Sequence, residues 1–317
     1  MREITVYFTT GYPTKQMQEE LISHGYRLLF GSEKRIPSID LSEVEVLVCY
    51  NPFSVLSLSD LPKLKWIHLV SKGINHVPAD EVSERGILVT NTENSTSIPI
   101  SEWIITQILC LYKQIPSFVC NQRQALYRQN HNILELTDKK ILFLGTGYIA
   151  KEAAKRLLAF NTHIDGCNTS GHPAGDMFHA CYPISELETR IHAYDIVISA
   201  LPATDSTYHL LNHNLLSKLP SHAVVINVSR GSIIETDALL QCLESGRLRG
   251  AALDVFEQEP IPADSPLWNC DRLLLTPHNS YLSEFYQTRN LKETYDNLLL
   301  YAEGGTPRHP VDFKKGY

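Results

Sequence analysis

The sequence predicts an α/β protein built from two parallel-sheet domains, on three observations. Short apolar runs recur along nearly the whole chain with polar or amphipathic stretches between them, the order that βαβ units require. In the second half these runs are continuous rather than alternating, the pattern of parallel strands buried on both faces. The 317 residues, 43% hydrophobic and 20% charged, hold enough apolar material for two cores.

Taken in order, residues 4–8, 44–49, 66–69 and 87–90 read as strands of a first domain. Pro99 then leads into residues 100–109, where apolar side chains recur at spacings of three and four. That spacing predicts one long apolar helix, reaching Val119 and crossing to the second domain. The second domain opens on residues 140–144 and continues through 164–167, 196–200, 224–228, 251–255 and 273–275. About six parallel strands with helices on both faces make a doubly wound sheet. After His278 a helical pattern runs from Ser283 to Ala302 and packs back on the first domain. The expected division is therefore 1–99 plus 283–317, a discontinuous domain, and 100–282.

Charge and composition exclude several functions. The 28 Lys and Arg stand against 35 Asp and Glu, a net charge of -7, without long blocks of one sign. A nucleic-acid binder is not expected. No stretch approaches the roughly 20 apolar residues of a membrane span, and Met1-Arg2-Glu3 runs straight into a strand-like alternation. The expectation is a soluble, cytoplasmic protein. Its seven cysteines are odd in number and never form a C-x-x-C pair, so buried free thiols are expected and no metal site.

Gly145-Thr146-Gly147-Tyr148-Ile149-Ala150 follows the first strand of the second domain and opens a helix. Gly145 permits the tight turn, Gly147 lets backbone approach a pyrophosphate, and Ala150 allows close helix packing. The unpaired N–H groups and dipole of the helix N-terminus then favour the anion, with Tyr148 and Ile149 in its first turn. In this context the turn marks a dinucleotide-binding, Rossmann-like domain. The next strand ends at Asn168, where an NAD-selective site would carry a carboxylate. Thr169 and Ser170 after it are neutral donors. NADP(H) is slightly favoured over NAD(H), with Asp165 as the alternative ribose ligand.

Arg230, Glu259 and His278 lie just beyond strands of this domain, where ligands of open α/β sheets bind. A guanidinium in such a place can hold a carboxylate with two parallel hydrogen bonds. A histidine beside a carboxylate can supply a proton near neutral pH.

These segments resemble the D-isomer-specific 2-hydroxyacid dehydrogenases over nearly the whole chain. The resemblance rests on the Gly145 turn, Leu201-Pro202, Arg230-Gly231, the Asp-Val-Phe-Glu-x-Glu-Pro run from Asp254, and Thr276-Pro277-His278. Gly73-Ile74-Asn75 and Glu102 also fall on family positions. It implies that Arg230 holds the substrate carboxylate and polarises the keto oxygen, that His278 donates the proton, and that Glu259 pairs with it. Asp254, Val228 and Ser229 would meet the nicotinamide end of the cofactor, and Leu201 and Pro202 line its pocket. The first domain, flavodoxin-like in this family, would contribute Lys72 and Gly73 at a carboxylate-binding turn and Phe53 at a side-chain pocket suited to a small 2-keto acid. Three departures stand out: Asn279-Ser280-Tyr281 after the histidine, Ala200 before Leu201-Pro202, and Tyr127 where relatives often carry Trp. The helix to Val119 suggests a homodimer. Two other readings remain: a nucleotide-sensing module on the same fold, and a formate dehydrogenase-like enzyme, against which Glu259 argues.

Overall fold

The computed structural model describes residues 2–74, 76–92 and 95–313. In chain order the elements are β1 (Ile4–Phe8), α1 (Lys15–Ser23), β2 (Tyr26–Phe30), β3 (Val44–Cys49), β4 (Trp66–Leu69), α2 (Ala79–Glu84), β5 (Leu88–Asn91), α3 (Ser97–Lys113) and α4 (Ile115–Arg123). They continue as β6 (Lys140–Leu144), α5 (Tyr148–Leu157), β7 (His163–Asn168), β8 (Ala180–Pro183), α6 (Leu187–Arg190), β9 (Ile196–Ser199), α7 (His213–Leu216), β10 (Val224–Asn227), α8 (Thr236–Glu244), β11 (Gly250–Leu253), β12 (Leu273–Leu275) and α9 (Tyr286–Ala302). The chain forms two compact units, Met1–Ser95 with Ser283–Tyr317, and Thr96–Leu282. No helix among the described residues is long and apolar enough to cross a membrane.

The first unit is a parallel sheet in the order β2-β1-β3-β4-β5, the flavodoxin-like arrangement. Buried polar groups explain why α9 belongs to it. His68, fully buried on β4, has Nδ1 2.8 Å from Thr90 Oγ1 and Nε2 3.1 Å from Thr294 Oγ1 of α9. Asn290 of α9 donates to Thr92 Oγ1 at 3.1 Å, and Tyr26 donates to the Leu298 carbonyl at 2.7 Å. Without α9, His68 Nε2, the Thr92 hydroxyl and the Tyr26 hydroxyl would lose these partners, a penalty of about 1–3 kcal/mol for each group left buried and unpaired. Burial, with His309 nearby, pushes the His68 pKa down to about 3.

The second unit holds seven parallel strands in the order β12-β11-β10-β9-β6-β7-β8. The chain starts at β6, builds outward through β7 and β8, then crosses to β9 on the other side of β6. Ligands of doubly wound sheets bind beyond the carboxyl ends at such a reversal. The expected six strands are all present. The one missed, β8, is an edge strand half-buried throughout, and β2 in the first unit is an edge strand with only Tyr26 buried. Strands left this open to solvent carry less of the buried apolar signal that marked the others.

The single helix expected from Ile100 to Val119 is two. Pro116 lacks an N–H and its ring would clash with the carbonyl four residues back, so the chain turns at Gln114 with φ 56. α3 buries Ile100, Ile104, Ile108, Leu111 and Tyr112 in a core shared with Ala150, Ala153 and Leu157 of α5. The apolar stripe that suggested a dimer face is therefore largely internal. Exposed apolar residues begin at α4, with Ile115 and Val119, and continue at Leu126, Tyr127 and Ile133. Cys120, also on α4, is exposed rather than buried, unlike Cys49, Cys167 and Cys242.

Candidate active site

Three strand ends of the second unit carry the ionisable residues. β10 closes at Asn227, whose side chain folds the next three residues: Oδ1 accepts from the Ser229 amide at 3.1 Å and hydroxyl at 2.7 Å, and Nδ2 donates to the Arg230 carbonyl at 3.0 Å. Ser229 Oγ also lies 2.7 Å from Ser199 Oγ, tying this turn to the end of β9. Val228 is buried beneath it, and Arg230 Nη1 donates to the Ser229 carbonyl at 2.7 Å.

Asp254 follows β11 and is 1% exposed. Its Oδ1 accepts from Thr276 Oγ1 at 2.5 Å and the Asn279 amide at 2.8 Å, and Oδ2 from the Ser280 amide at 3.0 Å. The His278 amide donates to the Asp254 carbonyl at 2.8 Å. One buried residue thus shapes the whole loop after β12 and holds His278 at φ 50, a left-handed conformation uncommon for a side-chain-bearing residue. Asn279 and Ser280 enter this construction through their backbone amides, which residues of other types would supply as well.

Glu259 joins the same construction. Its Oε1 accepts from the Phe256 amide at 2.9 Å, and its Oε2 lies 2.8 Å from His278 Nδ1. With Nδ1 turned to the carboxylate, Nε2 is the imidazole atom left to exchange a proton. The His278 and Glu259 side chains remain 43% and 36% exposed.

The glycine-rich turn fits a dinucleotide. Gly145 has φ 92, and a Cβ there would fall 2.7 Å from the Ala200 carbonyl oxygen at the end of β9. Gly147 caps α5, and a Cβ added to it would meet nothing within 4 Å. Glycine is thus required at 145 by the fold, whereas at 147 it keeps open the space where a pyrophosphate would approach the helix N-terminus. Ile149 and Ala150 are buried and Tyr148 is exposed. Leu201 and Pro202 are half-buried after β9, where the Pro202 carbonyl accepts from Thr207 Oγ1 at 2.8 Å.

The second strand of this unit, β7, carries both residues considered for the ribose. Asp165 is buried, with Oδ1 accepting from the Ala180 amide at 3.1 Å and Oδ2 from the Tyr194 hydroxyl at 2.8 Å, so its carboxylate is engaged within the sheet and pins β8. Burial and this carboxylate push the Tyr194 phenol up. Asn168 Oδ1 accepts from the Ser170 and Gly171 amides at 3.1 and 2.7 Å, while Nδ2 donates to Thr146 Oγ1 at 3.2 Å and the His172 carbonyl at 3.0 Å. Thr169 and Ser170 are exposed beside it.

In the first unit, Phe53 follows β3 while Lys72 and Gly73 follow β4, at adjacent carboxyl ends of the sheet. Phe53 packs on the core with its ring 6.3 Å from that of His76 and lines a cavity of about 480 Å³ with Leu56 and Leu58. The Lys72 carbonyl accepts from Asn91 Nδ2 at 3.4 Å, and the Gly73 carbonyl from Ser71 Oγ at 3.5 Å. Asn75 lies outside the described residues. A larger cavity, about 820 Å³, is lined by Phe118, Leu126, Tyr127 and Ile133 of the second unit and touches none of the ionisable three.

Residues 105–280 match the family described as D-isomer specific 2-hydroxyacid dehydrogenase, NAD binding domain. The chain belongs to this family. A glyoxylate reductase of Thermofilum pendens is 32% identical over 251 residues, 78% of this chain and 74% of that one. Among solved structures, a D-isomer specific 2-hydroxyacid dehydrogenase family protein from Aeromonas salmonicida aligns with TM-score 0.82 and 28% identity, covering 98% of this chain and 99% of that one. An NADPH-dependent glyoxylate/hydroxypyruvate reductase from Sinorhizobium meliloti aligns at 0.79 with 25% identity over 98% of both chains. As a 2-hydroxyacid dehydrogenase, the protein is an oxidoreductase that transfers hydride between a nicotinamide cofactor and a 2-hydroxy or 2-keto acid.

Sequence reasoning missed the residues that build the dehydrogenase site without touching a reactant: Asn227, Thr276 and the Phe256 amide. Asn227 precedes the Arg230 segment and Thr276 opens the Thr276-Pro277-His278 segment, but neither has ionisable chemistry to suggest a role. The Phe256 amide is a backbone group and has no signature in a one-letter code.

Proposed function

We propose that this dehydrogenase reduces a small 2-keto acid of the glyoxylate or hydroxypyruvate type, with NADPH used at least as well as NADH. The observation that carries the reading is the 2.8 Å pair of His278 and Glu259, held by the Phe256 amide, on a loop shaped by Asp254. Arg230 takes the substrate carboxylate and polarises the keto oxygen, which Lys cannot copy with two parallel hydrogen bonds. The nicotinamide, when bound, supplies the hydride. His278, as imidazolium, gives its Nε2 proton to the developing alkoxide, and Glu259 stabilises the charged ring before the transfer. Gly145, Gly147, Tyr148 and Ile149 hold the pyrophosphate; Leu201, Pro202, Val228, Ser229 and Asp254 serve the nicotinamide half.

Asn168, Thr169 and Ser170 meet the adenosine ribose. No carboxylate at Asn168 repels a 2′-phosphate, and the Sinorhizobium relative is NADPH-dependent. Phe53, Lys72 and Gly73 contribute to binding the keto acid, with Phe53 favouring small substituents. We further infer a cytoplasmic homodimer, supported by the exposed apolar residues from Ile115 to Ile133, among them the wholly exposed Tyr127. A panel of keto acids assayed with each reduced cofactor, followed by loss of nicotinamide absorbance, tests the reading. Turnover of glyoxylate or hydroxypyruvate with NADPH is expected, and silence across the panel refutes it. A solution mass of monomer alone at micromolar protein refutes the dimer.

A further inference from the structure

We propose that Glu257, with Thr236 and His209, is a positioning residue that locks the Arg230 turn and the Glu259 turn at fixed spacing. The inference rests on the roles given above to Arg230, Glu259 and His278. It begins at Gly231, directly after Arg230. A Cβ at Gly231 would fall 1.8 Å from the carbonyl carbon of Phe256, 2.0 Å from its oxygen and 2.3 Å from the Glu257 nitrogen. The peptide joining Phe256 to Glu257 therefore lies against the Gly231 backbone, closer than any other residue would allow. That same Phe256 supplies the amide that fixes Glu259 Oε1.

The Glu257 side chain then reaches back across this contact. Its Oε2 accepts from the Thr236 amide at 3.1 Å and also from the Thr236 hydroxyl, at the start of α8, a few residues past Gly231. Its Oε1 lies 2.5 Å from His209 Nε2. His209 in turn belongs to the segment that follows Leu201-Pro202, and it is bound to the same stretch of chain: its amide donates to the Ser232 carbonyl at 2.8 Å, and the Leu211 amide to that of Ile233 at 3.0 Å. One carboxylate thus joins the loops after β9, β10 and β11. Burial works against its charge, but the hydrogen bonds from Thr236 and His209 outweigh it and hold the carboxyl below the usual range. Glu257 touches neither Arg230 nor Glu259 by any of these bonds; it acts through the backbone that carries them.

The consequence is specific. Loosening Glu257 lets the 254–260 turn drift from Gly231, weakens the Phe256 clamp, and reduces the hold of Glu259 on His278. A purely structural bond would change melting temperature alone; a positioning one also lowers kcat while leaving the Kd for NADPH in place, because the cofactor is held mainly by the Gly145 turn. In Glu257→Ala we expect kcat for keto-acid reduction to fall on the order of 10-fold with the Kd for NADPH unchanged. Glu257→Gln, which still accepts from Thr236, should recover most of the kcat. A folded Glu257→Ala enzyme with wild-type kcat overturns the proposal. Should Glu257→Ala fail to fold, Thr236→Val removes only the hydroxyl bond and must give a smaller fall in kcat; no fall overturns it equally. Glu259→Gln is the reference. If that variant lowers kcat and Glu257→Ala does not, the positioning role alone is wrong. If Glu259→Gln leaves kcat in place, the assignment of the His278 pair falls, and the proposal with it.

Discussion

Replacing Glu259 by Gln removes the charge beside His278 while keeping the length of the side chain. In the structure one carboxylate oxygen accepts from the Phe256 amide at 2.9 Å and the other lies 2.8 Å from Nδ1. A hydrogen bond to a charged group is worth about 1.5–3 kcal/mol. Both side chains are more than a third exposed, at 43% and 36%, so water screens the pair and the lower end applies. The amide keeps a hydrogen bond but not the charge, so the expected loss of transition-state stabilisation is roughly 1.4 kcal/mol, about 10-fold in both kcat and kcat/KM for keto-acid reduction. Initial rates near neutral pH at saturating cofactor measure it, with the Kd for NADPH as the control for cofactor binding. A folded Glu259→Gln enzyme with wild-type kcat and kcat/KM would refute the reasoning that Glu259 acts on His278.

Other consequences follow from the same geometry. Arg230→Lys should raise the KM for the keto acid and lower kcat together, because an ammonium cannot form the planar two-bond grip; an unchanged kcat/KM would shift the carboxylate to another cation. Asn168→Asp should move the ratio of kcat/KM values toward NADH by about 1 kcal/mol. The structure argues for that modest size, since Asn168 Oδ1 is already engaged by Ser170 and Gly171 and an aspartate loses the bond given to the His172 carbonyl. An unaltered ratio at fixed ionic strength would remove Asn168 from the ribose site. For His68, the folded pKa of about 3 lies below the ordinary value of 6.5, so protonation opposes the folded state. Its contribution is complete above about pH 6.5 and is lost progressively toward pH 3, on the order of 5 kcal/mol in all. Thermal melts over that range should show a steeper acid decline in the wild type than in His68→Gln; parallel curves would contradict this.

What the sequence made legible was what burial and charge impose on side chains. Parallel strands covered on both faces announced themselves as apolar runs, and the reactive groups stood at their ends as Arg230, Glu259 and His278. The edges β2 and β8 did not, since one open face relaxes the demand for apolar residues. Pro116 carried the break, but apolar residues continue across it at helical spacing, buried on α3 and exposed on α4, so the sequence read as one helix. Asp254 stood out as a candidate at the cofactor site, but its bonds to Thr276, Asn279 and Ser280, close in space and remote in sequence, did not. Asp165 illustrates the same limit, since only the fold reveals the Tyr194 hydroxyl and Ala180 amide that occupy it.

The central claim, that His278 is the proton donor of a hydride-transfer site, is tested most directly by His278→Ala. The measurement is kcat/KM for glyoxylate or hydroxypyruvate with NADPH near neutral pH, alongside the Kd for NADPH from nicotinamide fluorescence. The account predicts a loss on the order of 100-fold or more in kcat/KM with Kd essentially unchanged, because the cofactor is held by the Gly145 turn and neighbouring strand ends. A folded His278→Ala enzyme that reduces the keto acid at the wild-type rate would contradict it.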